Sequence, residues 1–266
     1  MKDIRIAVAV ADSEMGRPLK NLERMIPFVR EAKQKGAKII CFPEMNISGY
    51  SSEKIAEKTA QTIPGPISQH LLEMAKNEGM VILAGLAEKD AAGRLFASHL
   101  VAEPDGMAGV YRKIQIAPPE RAVFSAGREI PLFKTDGLTF GIQLCYDAHF
   151  PELSTKMAEK GADLIFIPHA SPRGTEEEKR NSWMRHLPAR AFDNSVFIVA
   201  FNQTGEYKKG VRFPGVAIII GPSGNVIKEY TGGHERLIVA DLKESELSAV
   251  RNSPMRYFLP NRKTLS

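Results

Sequence analysis

At 266 residues with 43% hydrophobic content, the chain can bury a sizeable core, and no Pro/Gly/Ser-rich or single-charge stretch marks a linker, so one domain spanning 1–266 is expected. Its 36 Lys and Arg against 31 Asp and Glu leave a net charge of +5 that is scattered rather than clustered with aromatics, which argues against nucleic acid and leaves small anionic substrates open. Two cysteines in no CxxC spacing disfavour a disulfide scaffold or a metal cluster, and no apolar run reaches the length of a membrane span or a signal-peptide core, so a reducing, cytoplasmic setting is expected with no membrane partner.

In chain order, Ile4 to Ala11 reads as a buried strand, and Pro18 opens an amphipathic helix with apolar residues at Leu19, Leu22, Met25, Ile26 and Val29 that Gly36 stops. Lys38 to Phe42 is a second core strand ending at Pro43, which leaves Glu44 just past a strand end. A helix near Ile67 to Asn77 precedes strands near Met80–Ala87, Ala97–Glu103 and Met107–Arg112, with a Pro104-Asp105-Gly106 turn between the last two. Leu138 to Leu144 is a strand that delivers Cys145 to a junction, because Pro151 opens a helix to about Lys160. Asp163 to Ile167 is a strand ending at Pro168, and Thr175 with Glu178 forms a capping box for a helix continuing to about Phe192. Strands near Ser195–Asn202, Val211–Ile220, Val226–Tyr230 and Arg236–Asp241 and a helix near Glu244–Val250 complete an α/β order with antiparallel additions.

One segment echoes another: Gly36 to Glu44 (GAKIICFPE) resembles Gly161 to His169 (GADLIFIPH), and each follows a helix. Two similar halves could pack sheet against sheet and set Glu44 and His169 at equivalent strand ends. The alternative is a chance likeness between two ordinary helix-to-strand joints.

Amide hydrolysis needs a nucleophile, a group that moves its proton, and donors for the developing oxyanion. Phe42-Pro43-Glu44 offers a carboxylate, Tyr111-Arg112-Lys113 an ammonium and Leu144-Cys145-Tyr146-Asp147 a thiol, each beyond an expected strand. Backbone N–H groups at the junction and the Lys113 ammonium are expected to favour the thiolate of Cys145. Singly, each residue has an ordinary reading: a buried structural cysteine, an exposed glutamate, a surface lysine.

Together, Phe42-Pro43-Glu44 with Gly49-Tyr50, Tyr111-Arg112-Lys113-Ile114, and Gly141 to Glu152 (GIQLCYDAHFPE) resemble the nitrilase superfamily, the carbon–nitrogen hydrolases, over most of the chain. The resemblance implies a four-layer α-β-β-α sandwich with two pseudo-symmetric halves. It implies Glu44 as general base, Lys113 as stabiliser of the tetrahedral intermediate and Cys145 as the acyl-forming nucleophile, with Glu120 orienting Lys113 or positioning substrate and water. The Tyr146 backbone N–H would share the oxyanion. Tyr50, Phe150, His169, Ala170 and Arg173 are substrate-side candidates, Arg173 as a clamp for a carboxylate, and Trp183 is a pocket candidate too, for which core packing is the better reading. No cofactor or metal is implied. A homodimer or higher homo-oligomer is expected, with the 251–266 tail as an arm packing on a partner; a loose terminus is the alternative.

Tyr146-Asp147 after the cysteine resembles the amidase, carbamoylase and omega-amidase branches, so a small amide or N-carbamoyl substrate is favoured over a nitrile. Four rivals are a Cys145–His169 dyad, a metal site using Asp147, His149 and His169, transfer of the acyl group to an amine, and a non-catalytic homologue that only binds. The metal reading lacks HExxH or related spacing.

Overall fold

Alternation along the first strand sets the layering. In β1 (Ile4–Val10), Ile6, Val8 and Val10 join one hydrophobic core while Ala7 and Ala9 join another, so both faces are buried and the strand lies inside the protein. A computed structural model, describing residues 1–53, 55–208 and 210–263, shows what surrounds it.

The chain continues through α1 (Pro18–Gln34), β2 (Ile39–Cys41), α2 (Ile55–Thr59), α3 (Pro66–Glu78), β3 (Val81–Lys89), β4 (Leu95–Glu103) and β5 (Gly106–Arg112). A second series follows as β6 (Phe133–Thr135), β7 (Leu138–Ile142), α4 (Pro151–Glu159), β8 (Leu164–His169), α5 (Glu176–Met184), α6 (Leu187–Asn194), β9 (Phe197–Asn202), β10 (Gly205–Lys208), β11 (Val211–Phe213), β12 (Ala217–Ile220) and β13 (Val226–Tyr230). The last elements are β14 (Arg236–Leu242) and α7 (Glu244–Arg251).

Two six-stranded sheets result, ordered β14-β1-β2-β3-β4-β5 and β13-β12-β9-β8-β7-β6. They correspond strand for strand. β1, β2 and β3 are parallel, as are β7, β8 and β9. Each trio carries one antiparallel strand on one side, β14 or β6, and an antiparallel pair on the other, β4-β5 or β12-β13. Ile6, Val8, Ile39 and Leu83 of the first sheet share a core with Phe140, Phe166 and Val199 of the second, while Leu22, Met25 and Val29 of α1 and Leu71 of α3 cover the other face of the first sheet. With α4 and α6 packed against each other, and α6 against β9 and β12, this is the α-β-β-α sandwich with pseudo-symmetric halves.

The internal echo is therefore structural. Gly36 and Gly161 follow α1 and α4 with φ of 75° and 98°, a turn only glycine makes without strain, and each leads into the central parallel strand of its sheet.

Several boundaries differ from expectation. The strand expected to end at Pro168 runs on to His169, because β7 stops at Ile142 and Pro168 pairs in register only with Phe201 of β9, so its missing N–H breaks no ladder on the other side. The helix expected to reach Phe192 is two, α5 and α6, separated at Arg185-His186. Pro188 has no N–H to give the preceding turn and so starts a helix afresh. The strand expected over Val211–Ile220 is interrupted at Pro214-Gly215, and β11 turns away to pair with β10 in a separate hairpin. Residues 252–263 of the tail fold back on their own chain: Arg262 donates to Thr155 Oγ1 at 3.0 Å and to Asn194 Oδ1 at 3.3 Å, and Phe258 packs on Phe192 at 5.3 Å between ring centroids. Residues 264–266 of the expected arm lie outside the described residues.

Candidate active site

Glu44 owes its position to the loop that leaves β2. Met45 takes a left-handed φ of 53°, and Asn46 Oδ1 accepts the Gly85 N–H at 2.8 Å while the Ile47 N–H donates to Gly85 O at 2.8 Å, pinning the loop to β3. A Cβ on Gly85 would collide with the Met45 nitrogen, so this close approach requires glycine.

Lys113 leaves the end of β5 with its N–H on Ala97 O at 2.9 Å and its carbonyl accepting from Gly127 N at 2.7 Å. Arg112, one residue earlier, goes to the opposite side, where Glu88 binds its guanidinium and its Cζ lies 4.4 Å from the centroid of the Phe96 ring. Period-two alternation thus sends one cation to a salt bridge and the other to the site. Glu120 ends the short 3-10 turn Pro118–Glu120, and Ala117 N donates back to its Oε2 at 3.2 Å.

The three side chains meet. Lys113 Nζ lies 2.7 Å from Glu44 Oε1 and 2.8 Å from Glu120 Oε2, with Lys113 and Glu44 fully excluded from solvent. Glu44 Oε2 also accepts the Ala170 N–H at 3.0 Å, and Tyr50 donates its hydroxyl to Glu120 Oε1 at 3.1 Å. Burial pushes the Glu44 carboxyl up, with Glu120 adding to the rise and Lys113 opposing it, to about 7. Burial would by itself lower the Lys113 ammonium, but the two carboxylates hold it well above its ordinary value. The lysine is a fixed positive charge, and Glu44 is poised to exchange a proton near neutrality.

Cys145 follows β7 in a left-handed conformation, φ 45°, at the start of a 3-10 turn over Cys145–His149. Such a backbone is strained for a residue with a Cβ and persists only where its surroundings enforce it. Asp147 does so. Its carboxylate accepts from Leu144 N at 2.8 Å, Gln115 N at 2.7 Å and the Tyr111 hydroxyl at 2.8 Å, tying the cysteine turn to the segment that bears Lys113. Cys145 is partly exposed whereas Cys41 is buried, and both are free thiols.

The expected resting thiolate is not favoured. Burial pushes the Cys145 thiol well up, Glu44 pushes it further, and the opposing pull of Lys113 is smaller. A thiol pushed up by burial and by the Glu44 carboxyl needs its proton removed at the moment of attack.

The substrate-side candidates divide into groups. Tyr50 packs against Tyr207 and Phe213 at centroid distances of 5.6 and 6.1 Å, beside a cavity of about 320 Å³ that Asp12, Glu14 and Gln203 also line. Phe150 packs edge-on against Tyr146, with ring centroids 5.4 Å apart. His169 is buried with Nδ1 2.8 Å from Ile167 O and its ring 4.5 Å from that of Trp183, and burial first, then Lys179, holds it well below the usual imidazole range. Ala170 supplies the N–H on Glu44, and Arg173 is exposed in a left-handed conformation, φ 82°. Sequence reasoning missed the tether at Asp147, although it lies inside the quoted cysteine motif, and missed Lys179, which no motif contains. Lys179 reaches from α5 to donate to Ser171 Oγ at 2.7 Å, and it and Cys145 influence each other's charge.

Among the described residues, no group of three or more His, Cys, Asp or Glu is placed to hold a metal ion, and no helix is long and apolar enough to cross a membrane.

Residues 5–252 match the carbon-nitrogen hydrolase family. The chain is similar to a protein named nitrilase from Pyrococcus abyssi, 30% identical over 94% of this chain and 92% of the relative. It is similar to omega-amidase NIT2 of Xenopus tropicalis, 31% identical over 89% and 88%. Among solved structures, an amidase from Nesterenkonia sp. AN1 superposes with a TM-score of 0.81 at 24% identity, covering 93% of this chain and 94% of the other; there the active-site cysteine carries covalent addition of the acetamide moiety of fluoroacetamide.

Proposed function

The chain belongs to the carbon–nitrogen hydrolase family, and on that premise we propose that it hydrolyses the C–N bond of a small amide or N-carbamoyl compound through a thioester on Cys145. The convergence of Glu44, Glu120 and Lys113 in one buried cluster, within electrostatic reach of the Cys145 sulfur, carries this reading.

In the proposed cycle Glu44 takes the proton from Sγ as sulfur bonds to the carbonyl carbon. The carbonyl electron pair moves onto oxygen, which Lys113 and the Tyr146 N–H stabilise. Collapse breaks the C–N bond, and Glu44 returns its proton to the departing nitrogen. Water then gives a proton to Glu44 while attacking the thioester, and the acid leaves as sulfur regains that proton. Amide and water become acid and amine, and the same carboxyl serves each transfer, so no oxidant, metal or organic cofactor is called upon. Glu120 holds the Lys113 ammonium in place through both steps.

Tyr146 after the cysteine favours amides, as does the omega-amidase likeness, while the name of the Pyrococcus abyssi relative keeps nitriles in the test. The intact ionic cluster speaks for catalysis over mere binding. Two free thiols suit a cytoplasmic setting, and the paired Phe192 and Phe258, 44% and 38% exposed, suit a homodimer, which sedimentation would test.

The deciding experiment is intact-mass trapping against a panel of amides, carbamoyl compounds and nitriles, with Cys145→Ala as the blank. An added acyl or carbamoyl mass on the native protein alone is expected, and its value identifies the substrate class. Turnover that survives Cys145→Ala would end the proposal.

A further inference from the structure

The half-buried ammonium of Lys179 is a second cation whose charge acts on Cys145 and that the hydrolytic cycle does not use. It lies on α5, and among the described residues its one hydrogen bond is to Ser171 Oγ at 2.7 Å. Ser171 is itself fixed: its N–H donates to Asn202 Oδ1 at 2.9 Å and its carbonyl accepts from Asn202 Nδ2 at 3.0 Å. The preceding residue, Ala170, gives its N–H to Glu44. Lys179 is therefore anchored one residue, about 3.8 Å of chain, from the backbone that holds the proposed base.

An ammonium has three donors, and the serine takes one. Among the described residues no carboxylate pairs with Lys179. Glu178, next to it, is committed to the Thr175 N–H at 2.8 Å. The other titratable groups nearby, His149, His169 and His186, offer no anion. Burial lowers all three, and Lys179 lowers His149 and His169 further. Arg190 adds another positive charge beside His149 and His186. A partly desolvated cation without a counter-ion is unfavourable until an anion arrives. Arg173, by contrast, is exposed, so its guanidinium bears no desolvation cost that an arriving anion would relieve.

We infer that Lys179 receives a carboxylate carried by the substrate, so that the amide cleaved at Cys145 belongs to a molecule bearing a second, anionic end. This rests on the hydrolytic reading above and narrows it to acid-bearing amides. The carboxylate could sit on the acyl side or on the departing amine.

Two matched substrate pairs separate those sources: the monoamide of glutaric acid against pentanamide, and N-carbamoyl-β-alanine against propylurea. For at least one pair, Lys179→Gln is expected to cut kcat/KM for the acid about tenfold to a hundredfold more than for its neutral partner, mostly through KM, with Lys179→Arg recovering part of the difference. Equal losses on acid and neutral members of both pairs would overturn the inference, since a lysine that merely supports Ser171 affects both alike. Alkylation of Cys145 by iodoacetate and iodoacetamide, followed by intact mass with Cys145→Ala as blank, needs no turnover. If the native protein hydrolyses none of the four compounds, the trapping panel above decides the hydrolytic reading and this ratio decides Lys179. A ratio of iodoacetate to iodoacetamide rate that falls about threefold or more in Lys179→Gln supports the anion site, and an unchanged ratio removes it.

Discussion

Glu44 and His169 stand at equivalent places in the two halves, each just past or at the end of a central parallel strand, each buried, joined through the Ala170 N–H on Glu44. Their electrostatic fates are opposite. β5 delivers the Lys113 ammonium 2.7 Å from Glu44, and this opposes the burial that raises the carboxyl, leaving it near 7 and able to trade protons. His169 meets a backbone carbonyl and the Trp183 ring, and burial first, then the repulsion of Lys179, holds it well below the usual imidazole range and toward its neutral form. The same position in a duplicated fold holds a carboxyl that titrates near neutrality or an imidazole kept neutral, according to whether another strand brings a counter-charge.

The sharpest way to break that contrast is to exchange the roles by mutation. Glu44→Gln is expected to lower kcat about 10²- to 10⁴-fold on whichever substrate acylates Cys145, the range for loss of a general acid-base group, while His169→Asn retains turnover and loses mainly packing. Steady-state rates of the two variants decide it, and the reverse pattern would restore the Cys145–His169 dyad.

A finer test is the pH profile. With Glu44 needed as carboxylate in the free enzyme, kcat/KM should rise with pH through a midpoint of about 7, and Lys113 and Cys145, both held well above their ordinary values, add no fall near neutrality. His169→Asn should leave the midpoint in place; a midpoint that moves with His169 assigns the titration to the wrong half.

The smallest expected effect is on stability. A carboxyl raised from 4.5 to about 7 contributes fully to stability below its unfolded value and loses that contribution as pH rises through its folded one. Glu44→Gln has no charge to form there, so its melting temperature relative to the native protein should climb by several degrees between about pH 5 and pH 8, at roughly 2–4 °C per kcal/mol. His169→Asn should show no such climb. Paired thermal melts at the two pH values test both.

Much of the fold was legible because it follows local rules. Alternating apolar residues in β1, the amphipathic stripe of α1 and the Thr175–Glu178 capping box, present with both its hydrogen bonds, needed no distant partner to be read. The short elements α2, β6 and β10 went unread, and three boundaries failed at prolines. Pro168 is tolerated where β7 has ended, Pro188 restarts a helix, and Pro214 releases β11 into its own hairpin, outcomes that depend on which strand or helix lies alongside.

Glu44, Lys113, Glu120 and Cys145 could be picked out from their flanking motifs, since each sits beside a strand end that residue patterning reveals. What charge each carries could not be, because desolvation and Coulomb terms depend on separations across the fold. Only the tertiary structure, which sets the ends of β2 and β5 of one sheet near each other, brings Lys113 within 3 Å of both carboxylates, and only the second sheet adds a cysteine whose thiol burial and Glu44 push up against the expected thiolate, with Lys179 bonded to Ser171 nearby. Periodicity and turn chemistry are local and survive in a linear string; proton affinity is a property of what lies a few ångströms away in space, and the chain alone does not record that.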